Sequence, residues 1–227
     1  MRTSRTACHR NHAFTLVEVL VSLFIIGVLI SILLPAVQAV REAARRTTCI
    51  NNARQVGIAV LNFESLHGRF PTNHTLVWTQ QIVPQTEQHP SFAQPLSASS
   101  DHERERLLNH RPPLFTCPTA RMDRVAGYPA AHLGINFEAL GARIADITDG
   151  TSHTLLIGEL QPFFSAPWVL GPTACEAYFG SDHGSGSHLV LADGSARYFA
   201  TRSDTTVLNA MLTLAGGELM GLDGSGE

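Results

Sequence analysis

The chain has 227 residues, sixteen basic and nineteen acidic side chains, and a formal net charge of −3; every basic residue is arginine. An acidic chain with its charge spread out lacks the basic face that nucleic-acid binding needs. Its length accommodates one modest domain with a single core, beside any membrane segment.

The N-terminus carries Arg2, Arg5 and Arg10 and no acidic residue before Glu18. Phe14 to Leu34 then forms an apolar run of 21 residues. As a helix it spans about 31 Å, the thickness of a bilayer's hydrocarbon core. Arginines before the run and none within it predict a cytoplasmic N-terminus. Glu18 is the one charge inside, and a carboxylate at the bilayer centre costs about 2.5–3.5 kcal/mol, less near the interface. It therefore needs a partner. Two plainer readings compete. Val37-Gln38-Ala39 resembles a signal-peptide cleavage site, but signal h-regions run about 7–15 residues and this one is longer and charged. A simple single-span anchor gives Glu18 no purpose.

Beyond Pro35 the helical period continues. Val37, Val40, Ala44, Ala53, Val56, Val60 and Phe63 recur mostly at steps of three and four, with Arg41, Glu42, Arg45, Arg46 and Arg54 on the wetter side. Gly68 and Pro71 end the helix near Leu66. Pro35 removes one backbone donor and clashes with the carbonyl of Ser31, so a bend or loosened turn is expected there.

Pro84 to Ser100 reads as loop, and Ser100-Asp101-His102-Glu103 as the capping box of a short helix through Leu108, stopped by Pro112-Pro113. Strands are expected over Thr154–Leu160 and Trp168–Leu170. His188–Ala192 and Ser195–Ala200 flank Asp193-Gly194, which predicts a hairpin with a type I′ turn. The Gly-rich tail from Gly216 to Glu227 is expected to be loose.

Ala13-Phe14-Thr15-Leu16-Val17-Glu18 resembles the processing site of a type IV prepilin or type II secretion pseudopilin, with Ala13 where Gly is usual. More of the chain is similar to one bacterial family of pilin-like proteins. Its helix after the membrane segment corresponds to Leu34–Arg46, followed by Cys49 and Asn51-Asn52. Its Cys-Pro turn corresponds to Phe115-Thr116-Cys117-Pro118. Its Asp-Gly-Thr-Ser-Asn-Thr stretch corresponds to Asp149–Thr154, with His153 replacing Asn. Its terminal His-x9-Asp-Gly motif corresponds to His183, Asp193 and Gly194. Residues from about His74 to Arg111 match poorly.

The resemblance implies an α+β pilin-like fold, with a long N-terminal helix packed on a small antiparallel sheet. The implied division is a basic leader at 1–13, a transmembrane half-helix at 14–34, an amphipathic half at 35–66 and a globular domain at 67–227. It also implies cleavage by prepilin peptidase between Ala13 and Phe14, N-methylation of Phe14, Glu18 as an assembly residue and Pro35 as a helix bend. The partners are then other pilin or pseudopilin subunits and inner-membrane lipid. The location is the inner membrane, single-pass with the globular part outside, and then an envelope filament. Without the leader, thirteen arginines face nineteen carboxylates, a charge of −6. The competing classes are a secreted soluble binding protein and a single-pass anchored enzyme or binding protein, with the N-terminus serving only as signal or anchor.

No catalytic constellation is expected. Ser185 lies in Gly184-Ser185-Gly186, not in a Gly-x-Ser-x-Gly elbow. Some pseudopilins hold calcium, and Asp149, Asp182 and Asp193 are oxygen donors, but calcium takes six to eight oxygens and no compact Asp-rich loop supplies them. Neither Cys-x-x-Cys nor Cys/His zinc spacing is present, so no structural zinc site is expected, and calcium is the one alternative to a metal-free chain. Loss of Cys8 with the leader leaves Cys49, Cys117 and Cys175. A Cys117–Cys175 bridge would close a 59-residue loop, worth about 4 kcal/mol in the chain-entropy model. Cys49 reads as an ordinary buried small residue. His183 is expected to hydrogen-bond its loop to the hairpin, and His67, His74, His89, His102, His110 and His132 to lie on the surface.

Overall fold

The computed structural model describes residues 15–73, 77–86, 109–120, 123–161, 166–168, 173–174, 179–180, 183, 186–200 and 205–217. The expected helix over Ser100–Leu108 and both Val169 and Leu170 of the expected Trp168–Leu170 strand lie outside them. The architecture is α+β and pilin-like, and the chain divides into two compact units between Ala44 and Arg45. Helix α1, Leu16–His67, passes uninterrupted through Pro35 and contributes to both.

In the first unit, α1 is long and apolar enough, by length and composition, to cross a membrane. Its apolar side chains are exposed all round, Phe24 at 69% and Leu29 at 55% among them, which a helix meant for water does not show. The hydroxyls of Ser22 and Ser31 bond back to the carbonyls of Glu18 and Val28, both at 2.7 Å, so neither serine presents a bare donor to the apolar surface.

The second unit is built around the rest of α1. Cys49, Ala53, Val56, Gly57, Ala59, Val60 and Glu64 are its buried positions, a stripe of helical period that continues the expected one. Gly68, at φ 70°, follows the last helical residue and donates to the carbonyl of Glu64 at 2.7 Å. Only glycine takes that left-handed position without strain, so the helix stops where the sequence predicts. Buried Glu64 accepts the Ile144 N–H at 3.2 Å.

The main sheet has the order β6-β3-β4-β7-β8, from Thr173–Ala174 (β6), Leu133–Asn136 (β3), Leu155–Glu159 (β4), Gly186–Leu191 (β7) and Ala196–Ala200 (β8). All its pairings are antiparallel except β3 with the short edge strand β6. A second, antiparallel sheet joins Arg124–Val125 (β1), Tyr128–Ala131 (β2) and Ala166–Pro167 (β5). Helix α2 is Trp78–Ile82 and helix α3 is Thr205–Leu212.

Both faces of the main sheet are covered. On one side α1 packs with Phe70, Trp78, Phe115, Leu133, Ile135 and Val190; on the other, Leu155, Leu160, Phe179, Leu189 and Leu191 meet Met211 and Leu212 of α3. That is why β4 and β7 are buried at every position rather than at alternate ones. A register shift in β4 between Leu155 and Ile157 is the exception to the two-residue period. It lets the consecutive Leu156 and Ile157 both join the α1 side while Leu155 faces α3. The amide of buried Asn136 donates to the carbonyls of Leu155 at 2.9 Å and Leu212 at 2.8 Å, pinning α3 to the sheet.

Three expectations change. The β7–β8 connection is not a type I′ turn, which needs positive φ at both central residues; Gly194 has φ 82° and Asp193 is not positive. The Leu191 N–H reaches the Ser195 carbonyl at 2.9 Å across a three-residue loop, and the Asp193 carboxylate accepts the Ser195 N–H at 2.8 Å. This is the alternative hairpin with a left-handed glycine in its last loop position. Second, β5 ends at Pro167, and Trp168 turns into the core instead of extending a strand. Third, His132 is buried, not on the surface, because β2 and β3 meet there under α1.

Helix α1 packs tightly on the sheet at Gly57, where a Cβ would lie 2.6 Å from Cγ1 of Val190. Gly57→Leu is therefore expected to destabilise the second unit by about 1–3 kcal/mol through overpacking. Chemical denaturation of the chain's soluble portion checks this, and Val190→Ala in the same background should recover part of the loss.

Asp149 has a local task. It accepts the N–H groups of Gly216 at 2.7 Å and Gly217 at 2.9 Å and the Thr213 hydroxyl at 3.2 Å. The first residues of the tail are thus tied down, and a carboxylate named as a calcium donor is committed to protein donors. The Gly217 N–H, with Gly216 and Thr213, holds its carboxyl below the ordinary 3.8 despite the opposing effect of burial. A depressed folded-state value means the contribution is complete above the unfolded pKa and disappears as pH falls through the folded one. Amide exchange at Gly216 and Gly217 should accelerate, relative to neighbouring amides, as pH is lowered below about 3.8. In Asp149→Asn it should be fast at every pH.

Candidate functional site

At the start of α1 the structure shows a capping box. The Thr15 N–H and hydroxyl both donate to Oε2 of Glu18, at 2.9 and 2.7 Å, while the Glu18 N–H donates to the Thr15 hydroxyl at 3.3 Å. Thr15-x-x-Glu18 is the Ser/Thr-x-x-Glu pattern, in which the glutamate satisfies a donor that the first turn leaves open. Glu18 thus has a partner within its own chain. Ala13 and Phe14 lie outside the described residues.

The second constellation is buried. Cys49 on α1, Cys117 after the single helical turn Pro113–Phe115, Glu159 at the end of β4 and His183 before β7 place one ligand-type atom each within 4.8 Å of one another. The Cys49 thiol donates to Oε1 of Glu159 at 2.5 Å. Sγ of Cys117 lies 3.5 Å from Nε2 of His183, which is 4.0 Å from Oε1 of Glu159. The neighbours fix these groups. Thr119 Oγ1 stands 3.3 Å from Nδ1 of His183, and Arg46 donates to the His183 carbonyl at 3.2 Å. The backbone N–H of His188 donates to Oε2 of Glu159 at 2.8 Å and its Nδ1 lies 3.3 Å from Oε1. His132 Nδ1 accepts the Cys117 N–H at 3.2 Å.

Burial would raise the Glu159 carboxyl, but hydrogen bonds from His188 and Cys49 outweigh it and hold the group below its usual range. The two thiols diverge. Cys117 falls to about 7, held down by its hydrogen bond with Cys49 against burial. Cys49 is pushed up by the same hydrogen bond, by burial and by the Glu159 carboxylate.

His183 therefore holds the cluster, while Asp193 and Gly194 form the turn at the opposite end of β7. A Cβ on Gly194 would sit 3.4 Å from Leu61, and the Asp193 N–H donates to Thr151 at 3.0 Å. His183 and Asp193 lie beyond opposite ends of β7 and do not share a site. Cys117 is a free thiol turned inward toward His183, and Cys175, its expected bridge partner, lies outside the described residues, as do Asp182 and Ser185. Cys49 is buried as expected, but with polar company. The four residues are 42 or more positions apart in all but the Glu159–His183 step of 24, so linear spacing gave no sign of the cluster.

Residues 8–34 match the family model described as the prokaryotic N-terminal methylation motif. The chain opens on a prepilin-type segment. Residues 38–139 match a second family model, described as a protein of unknown function (DUF1559). No curated protein and no solved structure matches the chain. The methylation segment ends at Leu34, immediately before Pro35. A segment of this type points to pilin-type processing and assembly, and to membrane anchoring through α1.

Proposed function

We propose that the chain is a structural subunit of an envelope filament of the type IV pilus and type II secretion class, and not an enzyme. Prepilin peptidase removes residues 1–13 and methylates the new amine of Phe14. The subunit waits in the inner membrane with its N-terminus cytoplasmic and its globular part outside, held in lipid by the first half of α1. It then joins other pilin-like subunits, trading lipid for neighbouring helices.

One observation carries this reading: the methylation segment leads into a helix whose first part exposes apolar side chains all round, whereas its later part is the core of an α+β unit. An ordinary anchor needs the first property only. The Thr15–Glu18 box fits the same reading, because it presents a folded first turn immediately after the cut.

Shear fractionation of producing cells tests it. The chain is expected in the sheared filament fraction when prepilin peptidase is active, and in membranes alone when the peptidase is inactivated. A chain that stays in membranes in both cases is a plain anchor; one found free in the medium in both is a secreted protein. Either result contradicts the proposal.

A further inference from the structure

The cluster of Cys49, Cys117, Glu159 and His183 has no part in the assembly scheme, and its geometry has a meaning of its own. Cys49 and Glu159 are each 1% exposed and Cys117 and His183 each 6%, so no substrate reaches them. A catalytic Cys-His-Glu relay would place Cys117 and Glu159 on opposite nitrogens of the imidazole. Here both approach Nε2, and Nδ1 is taken up with Thr119. Donors that share one side of a ring converge on a point.

The separations agree with an ion at that point. Bonds of about 2.0–2.3 Å to nitrogen, oxygen and sulfur give tetrahedral edges of roughly 3.5 Å. Cys117–His183 at 3.5 Å and His183–Glu159 at 4.0 Å are near such edges, and all four donor atoms lie within 4.8 Å of one another. Cys49–Glu159, at 2.5 Å, is shorter because the thiol proton that an ion would displace bonds the two directly. The surroundings resemble an outer shell: Thr119 orients the imidazole, the His188 N–H holds the free oxygen of Glu159, and the Thr119 backbone N–H bonds to the Cys117 sulfur.

We propose that Cys49 Sγ, Cys117 Sγ, His183 Nε2 and Glu159 Oε1 are the four ligands of one zinc-class divalent ion. Two sulfurs disfavour magnesium and calcium, which take oxygen, and four donors without an open position make the site structural. On binding, the Cys49 and Cys117 thiols become thiolates and their two protons pass to solvent, while the carboxylate and neutral imidazole donate lone pairs; nothing is oxidised. Two thiolates and a carboxylate leave the bound site at −1, with the Arg46 guanidinium at its edge. The ion would cross-link α1, the Cys117 turn, β4 and the loop before β7, fixing the assembly helix to the sheet outside the membrane.

The test uses the full chain, extracted in detergent and purified through a tag free of histidine. About one zinc per chain is expected by elemental analysis, falling below about a tenth in Cys49→Ser and Cys117→Ser. Exchange with cobalt(II) should give a thiolate-to-cobalt charge-transfer band and the strong visible bands of a tetrahedral ion. Should the variants fail to fold, the unaltered chain decides: EDTA should lower its melting temperature, and zinc but not magnesium or calcium should restore it. A chain that stays metal-free after exposure to zinc, an octahedral cobalt spectrum, or a Cys49–Cys117 disulfide in the isolated protein would overturn the proposal.

Discussion

Glu18→Val should be inserted and cleaved normally yet enter filaments poorly, by roughly 100-fold, the equivalent of about 3 kcal/mol. In the single chain the Glu18 carboxylate is satisfied by Thr15 of the same turn. After cleavage the amine of Phe14 would lie one residue before that turn. Successive subunits in a filament are displaced along its axis, so the amine of one can reach the Glu18 of another. In apolar surroundings such a pair is strong only when correctly placed, and a missing partner leaves a buried charge costing several kcal/mol. Two controls separate charge from capping. Glu18→Gln can keep the capping box but has no charge, and should assemble as poorly as Glu18→Val. Glu18→Asp keeps the charge and should lose less. Full incorporation of Glu18→Val would falsify the register role; recovery with Glu18→Gln would assign the residue to capping instead.

The second large effect is expected at Glu159. Its carboxylate takes the Cys49 thiol and the backbone N–H and ring of His188, at 1% exposure. Glu159→Ala opens a cavity and strands those donors, so the second unit should lose about 3–5 kcal/mol. That is a large share of the ~5–15 kcal/mol by which a typical domain is stable. Urea unfolding in the presence of a chelator measures it without any contribution from bound metal. A loss below about 1 kcal/mol would show that the hydrogen bonds are replaced by water or by repacking.

Some of this molecule could be read from residues in order. The apolar run from Phe14, the stripe from Ala53 to Val60, the stop at Gly68, the buried strand within Thr154–Leu160 and the hairpin at Asp193-Gly194 are local patterns, and each corresponds to an element. The capping box is equally local: Thr15-x-x-Glu18 satisfies the first turn, and the partner that Glu18 needs stands three residues before it. The short strands β1, β2 and β6 have two to four residues and little alternation, too little for a period to emerge. Helix α3 was hidden because its apolar face is visible only once the far side of the sheet needs a cover. The buried cluster depends entirely on tertiary structure. His132 looked like a surface histidine and Cys49 like a small core residue because nothing nearby in sequence pairs with either. Their partners come from Cys117 and from Glu159, 110 positions beyond Cys49.

Processing of the N-terminus separates a filament subunit from an anchor or a secreted protein, and the intact mass of the chain extracted from producing membranes reads it. A chain that begins at Phe14 and carries one added methyl group on its amine is the predicted result. A mass that retains Met1 to Ala13, or a mature start at Val40, would contradict it.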